Sequence, residues 1–154
     1  MATPYRWRGL TDQQRIEILE WRKTRKHPWH WPPHRPDFGR SYFHITAACY
    51  EHAPIIGKSV ERLDLFSKSL LKTFTDCSSA VSSWCVLPNH YHALVETQNI
   101  LKILHHLGRL HGRLAFQWNG EETQRGRKVF HGAVERSMRS ERHYWATLNY
   151  VHHN

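Results

Sequence analysis

Cysteine is too scarce and too scattered in this sequence to build anything. There are three, Cys49, Cys77 and Cys85; none form a CxxC pair and the number is odd. Neither a disulfide framework nor a cysteine zinc site is suggested. Acids are short as well: 13 Asp and Glu stand against 22 Lys and Arg, a net charge of +9 and a pI of about 9.8. That balance points to a polyanionic partner, nucleic acid ahead of a membrane surface. No stretch approaches the roughly 18 apolar residues of a membrane span. The opening MATPYRWRGL lacks the apolar core of a signal peptide, and no internal repeat or low-complexity tract is evident. A soluble, cytoplasmic protein is expected.

What is present is enough for one compact domain. A chain of 154 residues, 40% hydrophobic and 12% aromatic, has the composition of a folded protein. TDQQRIEILEWRKTR opens with Thr11 and carries Gln14 three residues on, a capping-box pattern that predicts a short helix to about Arg25. KHPWHWPPHRPDFG holds four of the seven prolines and reads as an extended, Trp-rich arm. SYFHITAACY is β-branched and aromatic, a strand. ERLDLFSKSLLKTFTD spaces Leu63, Phe66, Leu70 and Phe74 by three and four, an amphipathic helix. AVSSWCVL and HYHALVE read as two antiparallel strands joined at Pro88-Asn89. NILKILHHLGRLHGRLAFQW is a longer helix, NGEETQRGRK a polar loop, VFHGAVERSM a fourth strand, and SERHYWATLNYVHHN a final helix capped by Ser140. Strand, helix, strand, strand, helix, strand is the order of the α+β ferredoxin-like fold. The expectation is a central antiparallel sheet with helices on one face and an extra helix at each end. Residues 1–40 form the N-terminal helix and arm, and 41–154 the principal domain.

Within PNHYHALVE, His90 and His92 are two apart, so a strand projects both to the same face. Two neutral imidazoles side by side are two-thirds of a metal site. On spacing alone, two polar residues on a solvated strand face is the more ordinary reading, in a chain with fourteen histidines. Near the end, ATLNYVHHN sets Tyr150 and Asn154 four apart, one above the other on a helix. A tyrosine there is either an aromatic core residue or a nucleophile, since its ordinary pKa near 10 calls for an activated electrophile at neutral pH.

VLPNHYHALVE followed by YVHHN resembles the single-tyrosine HUH transposases, and in particular their REP-associated branch. The stretch from WRGLTDQQ to EHAPI, with LGRLHGR, WNGEE and RSERHYWATLNYVHHN, is similar to members of that branch as well, so the resemblance covers nearly the whole chain. It implies a ferredoxin-like HUH domain that cuts single-stranded DNA near a REP-type hairpin through a 5′-phosphotyrosine. It further implies His90, His92 and Asn154 as metal ligands, Mg²⁺ or Mn²⁺ as cofactor, and Tyr150 as nucleophile. Tyr144 is the other tyrosine of that helix, but its neighbour four residues on, Leu148, cannot coordinate a metal. Relatives continue past the asparagine, so a C-terminally truncated domain is expected, and with it the alternative of a catalytically weak hairpin-DNA-binding protein. Rolling-circle initiators share the histidine pair but add a lysine near the tyrosine, and no lysine follows Lys128. A structural zinc protein built on its histidines is a third reading.

Candidate DNA contacts are the basic clusters at Arg22, Lys23, Arg25 and Lys26, at Arg109 and Arg113, at Arg125, Arg127 and Lys128, and at Arg136, Arg139 and Arg142. Cations beside aromatics suit a single-strand groove. The expected partner is single-stranded or hairpin DNA at a prokaryotic nucleoid, bound by a monomer or homodimer and with no membrane involved.

Overall fold

The computed structural model describes residues 11–24 and 42–154. The chain divides into two units, 1–33 and 34–154. In the first, helix α1 spans Asp12–Thr24. Its capping box is reciprocal: Gln14 N–H donates to Thr11 Oγ1 at 3.3 Å and Thr11 N–H to Gln14 Oε1 at 3.0 Å. The Pro/Trp arm lies outside the described residues.

The second unit runs β1 (Tyr42–Ala48), α2 (Val60–Asp76), β2 (Ala80–Leu87), β3 (His90–Glu96), α3 (Ile100–Glu121), β4 (Val134–Ser137) and α4 (Glu141–His152). The four strands make one antiparallel sheet in the order β2-β3-β1-β4. This is the ferredoxin-like arrangement with an added C-terminal helix. Each of the α-helices α2, α3 and α4 starts on a side-chain cap. Ser59 accepts from Arg62 N–H, Asn99 from Lys102 N–H, and Ser140 from His143 N–H, all at 3.0–3.1 Å. No helix among the described residues is long and apolar enough to cross a membrane.

Strand alternation divides the sheet into two unlike faces. Phe43, Ile45 and Ala47 of β1 and Tyr91, Ala93 and Val95 of β3 are buried under α2 and α3. Those helices contribute Phe66, Leu70 and Phe74, and Ile103, Leu107, Leu110, Leu114 and Trp118. Phe66 is the hub, with ring centroids 5.6 Å from Tyr91, 5.8 Å from Phe130 and 6.3 Å from Trp118. The opposite face carries His44, Thr46, His90, His92 and Leu94, and α4 lies over it. Tyr144 of α4 meets Tyr42 edge to face at 5.0 Å, while Thr147 and Val151 are buried.

Two elements differ from the sequence expectation. The fourth strand shrinks from ten residues to four, because β1 has already ended where its first half would pair. Beyond Ala48 the chain enters a turn in which Glu51 and His52 take left-handed φ of 56° and 55°. Only a Cys49–Phe130 bridge continues the ladder. Helix α3 in turn runs past Trp118 through Asn119, Gly120 and Glu121, which the polar composition assigned to a loop. Tertiary bonds override that composition: buried Asn119 donates to Arg127 O at 2.7 Å and accepts from Arg127 Nε at 3.0 Å.

The β2–β3 turn is locked from three sides. Cys49 N–H donates to Asn89 O at 2.7 Å, Gly57 N–H to Pro88 O at 2.9 Å, and Asn89 Nδ2 to His52 O at 3.3 Å. A Cβ at Gly57 would overlap Pro88, so only glycine permits this contact.

One buried histidine belongs to the core. His111 lies 3.2 Å from the Tyr91 hydroxyl and stacks on Phe130 at 4.4 Å. Burial pushes its pKa down to about 4. The unfolded chain takes up this proton near pH 6.5 and the folded chain only near 4. The stability that depends on a neutral His111 is therefore complete above pH 6.5 and is lost as the pH falls toward 4, by about 3 kcal/mol. Urea unfolding at pH 7 and pH 4.5 checks this: His111→Gln narrows the difference in midpoint between the two conditions.

Candidate active site

The register of β1 on β3 builds the site. Thr46 pairs with His92 and Ala48 with His90, so two small side chains flank the imidazoles. Across β2, Cys85 faces His92 and Leu87 faces His90. His44 is diagonal to His92, and its Nε2 sits 3.1 Å from His92 Nδ1 with the rings nearly parallel at 28°. The His90 and His92 rings are 5.0 Å apart, and His52 lies 6.1 Å beyond His90. His90 Nδ1 is 2.7 Å from Asn89 Oδ1. The result is a row of imidazoles crossing the sheet.

Tyr150 closes this row from above. In the last turn of α4 it presents its ring edge-on to His92 at 5.2 Å and to His44 at 6.0 Å. It remains 53% exposed, enough for a substrate to reach the phenol. Its placement follows from the helix period: Thr147 and Val151 bury the adjoining face of α4, and Tyr150 follows that face onto the histidines.

Burial dominates the electrostatics. Desolvation, followed by the positive charge of Arg136 and the neighbouring His143, lowers His44 to about 4. Desolvation, with His44 and His90 beside it, lowers His92 to about 4. His90 is lowered by the same cause, with His52 adding to it. All three are neutral at physiological pH, which is the form that binds a metal.

His92 is 6% exposed, and its Nε2 is buried with no hydrogen-bond partner. A buried ring nitrogen without a partner is costly unless another species completes it. The residues thus fit a divalent cation at His90 and His92. Among the described residues, no group of three or more His, Cys, Asp or Glu side chains could hold a metal by itself. Completing a site at His90 and His92 therefore calls for a donor of another type, such as an amide oxygen. Asn154 is exposed and follows the cap residue His153, one step beyond the helical turn that carries Tyr150.

The basic residues are dispersed. Arg109 and Arg113 are exposed on α3, on the sheet face opposite Tyr150. Arg139 is exposed at the entry to α4, where its N–H donates to His143 Nδ1 at 3.2 Å. Lys128 lies over the Tyr50 ring at 4.9 Å. Arg125 stacks on Phe116 at 4.1 Å and donates to its carbonyl. Arg127 turns inward with Lys58 and Arg62 onto Glu122, whose side chain is 11% exposed. Desolvation alone would raise the Glu122 carboxyl, but hydrogen bonds from Arg62, Lys58 and Arg127 outweigh it and hold it at about 2. Arg25, Lys26 and the side chains of Arg22 and Lys23 lie outside what the structure describes.

Sequence reasoning missed His44 and Asn89 as parts of this site, whereas Arg136 was among the basic residues it singled out. Alternation along SYFHITAACY put His44 on a face with Thr46, and a ferredoxin-like order puts β1 beside β3. Taken together, those two signals reach His44.

No protein-family model matches the chain, and no curated protein matches it. Solved structures do. A REP-associated tyrosine transposase bound to a REP hairpin aligns with a TM-score of 0.57 at 12% identity, over 78% of this chain and 70% of that one. A candidate transposase from Deinococcus radiodurans R1 aligns with a TM-score of 0.50 at 15% identity, over 79% and 96%. At these identities the likeness shows a shared fold.

Glu122→Gln leaves Arg62 and Arg127 partly buried against a neutral side chain. The expected cost is on the order of 3 kcal/mol, seen as a lower urea midpoint at pH 7. An unchanged midpoint would mean that the cluster is solvated.

Proposed function

We propose that the chain is a metal-dependent single-stranded DNA endonuclease and strand transferase that acts at hairpins with Tyr150 as its nucleophile. The observation that carries the proposal is the half-exposed Tyr150 ring against His92, whose buried Nε2 has no partner. The fold shared with a transposase held on a REP hairpin supports it, as does the net charge of +9.

His90, His92 and Asn154 would hold Mg²⁺ or Mn²⁺, which supplies a Lewis acid toward a phosphate oxygen. The chain's own part is to place the phenol. Tyr150 Oη forms a bond to phosphorus while the bond from phosphorus to the 3′-oxygen breaks. The phenolic proton is transferred, in net terms, to the departing 3′-oxygen. One strand end is left as a 5′-phosphotyrosine and the other as a free 3′-OH. The number of phosphate ester bonds is unchanged, so attack by a 3′-OH reverses the step with no nucleotide cofactor. The His44 and His92 rings hold the tyrosine edge-on, and its exposure admits the strand. Arg136, in register with His44, brings a cation to the same face.

A hairpin-binding protein that cuts weakly is the second reading, favoured by the position of Asn154 past the cap of α4. One experiment separates the two. A labelled hairpin with single-stranded flanks, incubated with Mn²⁺ or Mg²⁺, is expected to give an SDS-resistant adduct. Tyr150→Phe abolishes the adduct, His92→Ala lowers it by about 100-fold, and Tyr144→Phe retains it. Salt-sensitive binding without an adduct in either metal would establish the second reading. Undiminished cleavage by Tyr150→Phe would sink the first.

A further inference from the structure

The unpartnered His92 Nε2 bears on which nitrogen of each imidazole carries the proton. We propose that His44 is a positioning residue: it accepts the Nδ1–H of His92 and so leaves His92 Nε2 with its lone pair free for a metal. The use of that lone pair rests on the function proposed above; the tautomer does not.

A contact of 3.1 Å between His44 Nε2 and His92 Nδ1 allows two arrangements. If His44 donated, His92 would carry its proton on Nε2, leaving a buried N–H with no acceptor. Orphaned buried N–H groups are rarer in proteins than buried acceptors left under-satisfied. If His92 donates, its Nε2 is a bare lone pair and the proton of His44 sits on Nδ1. That atom is not among the buried unpartnered ones, which among the described residues are Ser83 Oγ, His92 Nε2 and Arg127 Nη2. The second arrangement leaves no N–H stranded.

His90 supplies an independent parallel. Asn89 Nδ2 donates to His52 O at 3.3 Å, which sets the amide with Oδ1 toward His90 Nδ1 at 2.7 Å. An amide oxygen can only accept, so His90 Nδ1 is the donor and its Nε2 is also bare. Two side chains of different kinds, His44 and Asn89, therefore prepare two neighbouring imidazoles in the same tautomer. This is the outer-shell arrangement that orients histidine ligands in metal sites, with a neighbouring imidazole where a carboxylate is common.

The test reads the tautomers directly in the metal-free protein. Long-range ¹H–¹⁵N correlation spectra at pH 7.5, assigned with His90→Asn and His92→Asn, are expected to show both residues with Nδ1 protonated. His44→Phe removes the acceptor, moves His92 toward its Nε2–H form and weakens Mn²⁺ binding by about 10–100-fold. His44→Gln, whose amide oxygen can accept, recovers part of both, and it carries the test if the Phe variant does not fold. A wild-type His92 protonated at Nε2 would overturn the proposal. So would a His44→Phe protein with unchanged tautomer and unchanged Mn²⁺ affinity. Wild-type protein with the assigned tautomers but no DNA adduct would uphold the role of His44 while removing the strand-transfer function.

Discussion

The pairing of β1 with β3 is the constraint on which the rest of the site depends. Side chains alternate along a strand, so a slip of one residue would send His44 into the apolar core and bring Phe43 out beneath α4. The register is pinned at one end by the hydrophobic set of Phe43, Ile45 and Ala47 against α2 and α3. At the other it is pinned by the turn at Pro88-Asn89, which takes hydrogen bonds from Cys49 and Gly57 and gives one to His52. The Thr46 hydroxyl adds a bond to Tyr91 O at 2.8 Å. Core packing and turn chemistry thus specify the same register, and the histidine face follows from it.

That face is expensive to build. Burying an imidazole without full hydrogen bonding costs free energy, and both His44 and His92 are held neutral by desolvation. The core offers a comparison, because His111 meets the same difficulty and is paired with the Tyr91 hydroxyl and stacked on Phe130. His92 is likewise paired through one nitrogen, Nδ1, and stacked, on His44, but its other nitrogen, Nε2, is buried with no partner. That buried, unpartnered nitrogen sets His92 apart from His111, and it lies under the tyrosine that the helix period places there.

The elements were legible where local chemistry and tertiary packing agree. The Thr11–Gln14 box, the Ser140 cap and the three-four spacing of Phe66, Leu70 and Phe74 all specify what the folded chain does, and the histidine pair was readable from alternation alone. Disagreement arose where long-range contacts override composition. Asn119 and Gly120 are poor helix formers, yet α3 continues through them because Asn119 bonds the returning Arg127. His44 was hidden for a related reason: its partner is 48 positions away, and no local pattern marks a residue whose role comes from a strand pairing.

Charge was the least transferable signal. The excess of nine positive charges is a property of the whole chain, but the cations are put to different uses once folded. Arg127 and Arg62 close over Glu122, Arg62 also covers the Trp118 ring at 4.8 Å, and Arg125 lies on Phe116. Guanidinium groups stack on aromatics and form directed ion pairs with little loss of hydration, so a folding core recruits arginines readily. Within the cluster QRGRK, Arg127 also fastens the α3–β4 connection through Asn119 and Glu122. Arg136 is put to another use: strand pairing sets it beside His44, where its charge helps hold that imidazole neutral. The register of the sheet, which charge density along the sequence does not reveal, decides that placement.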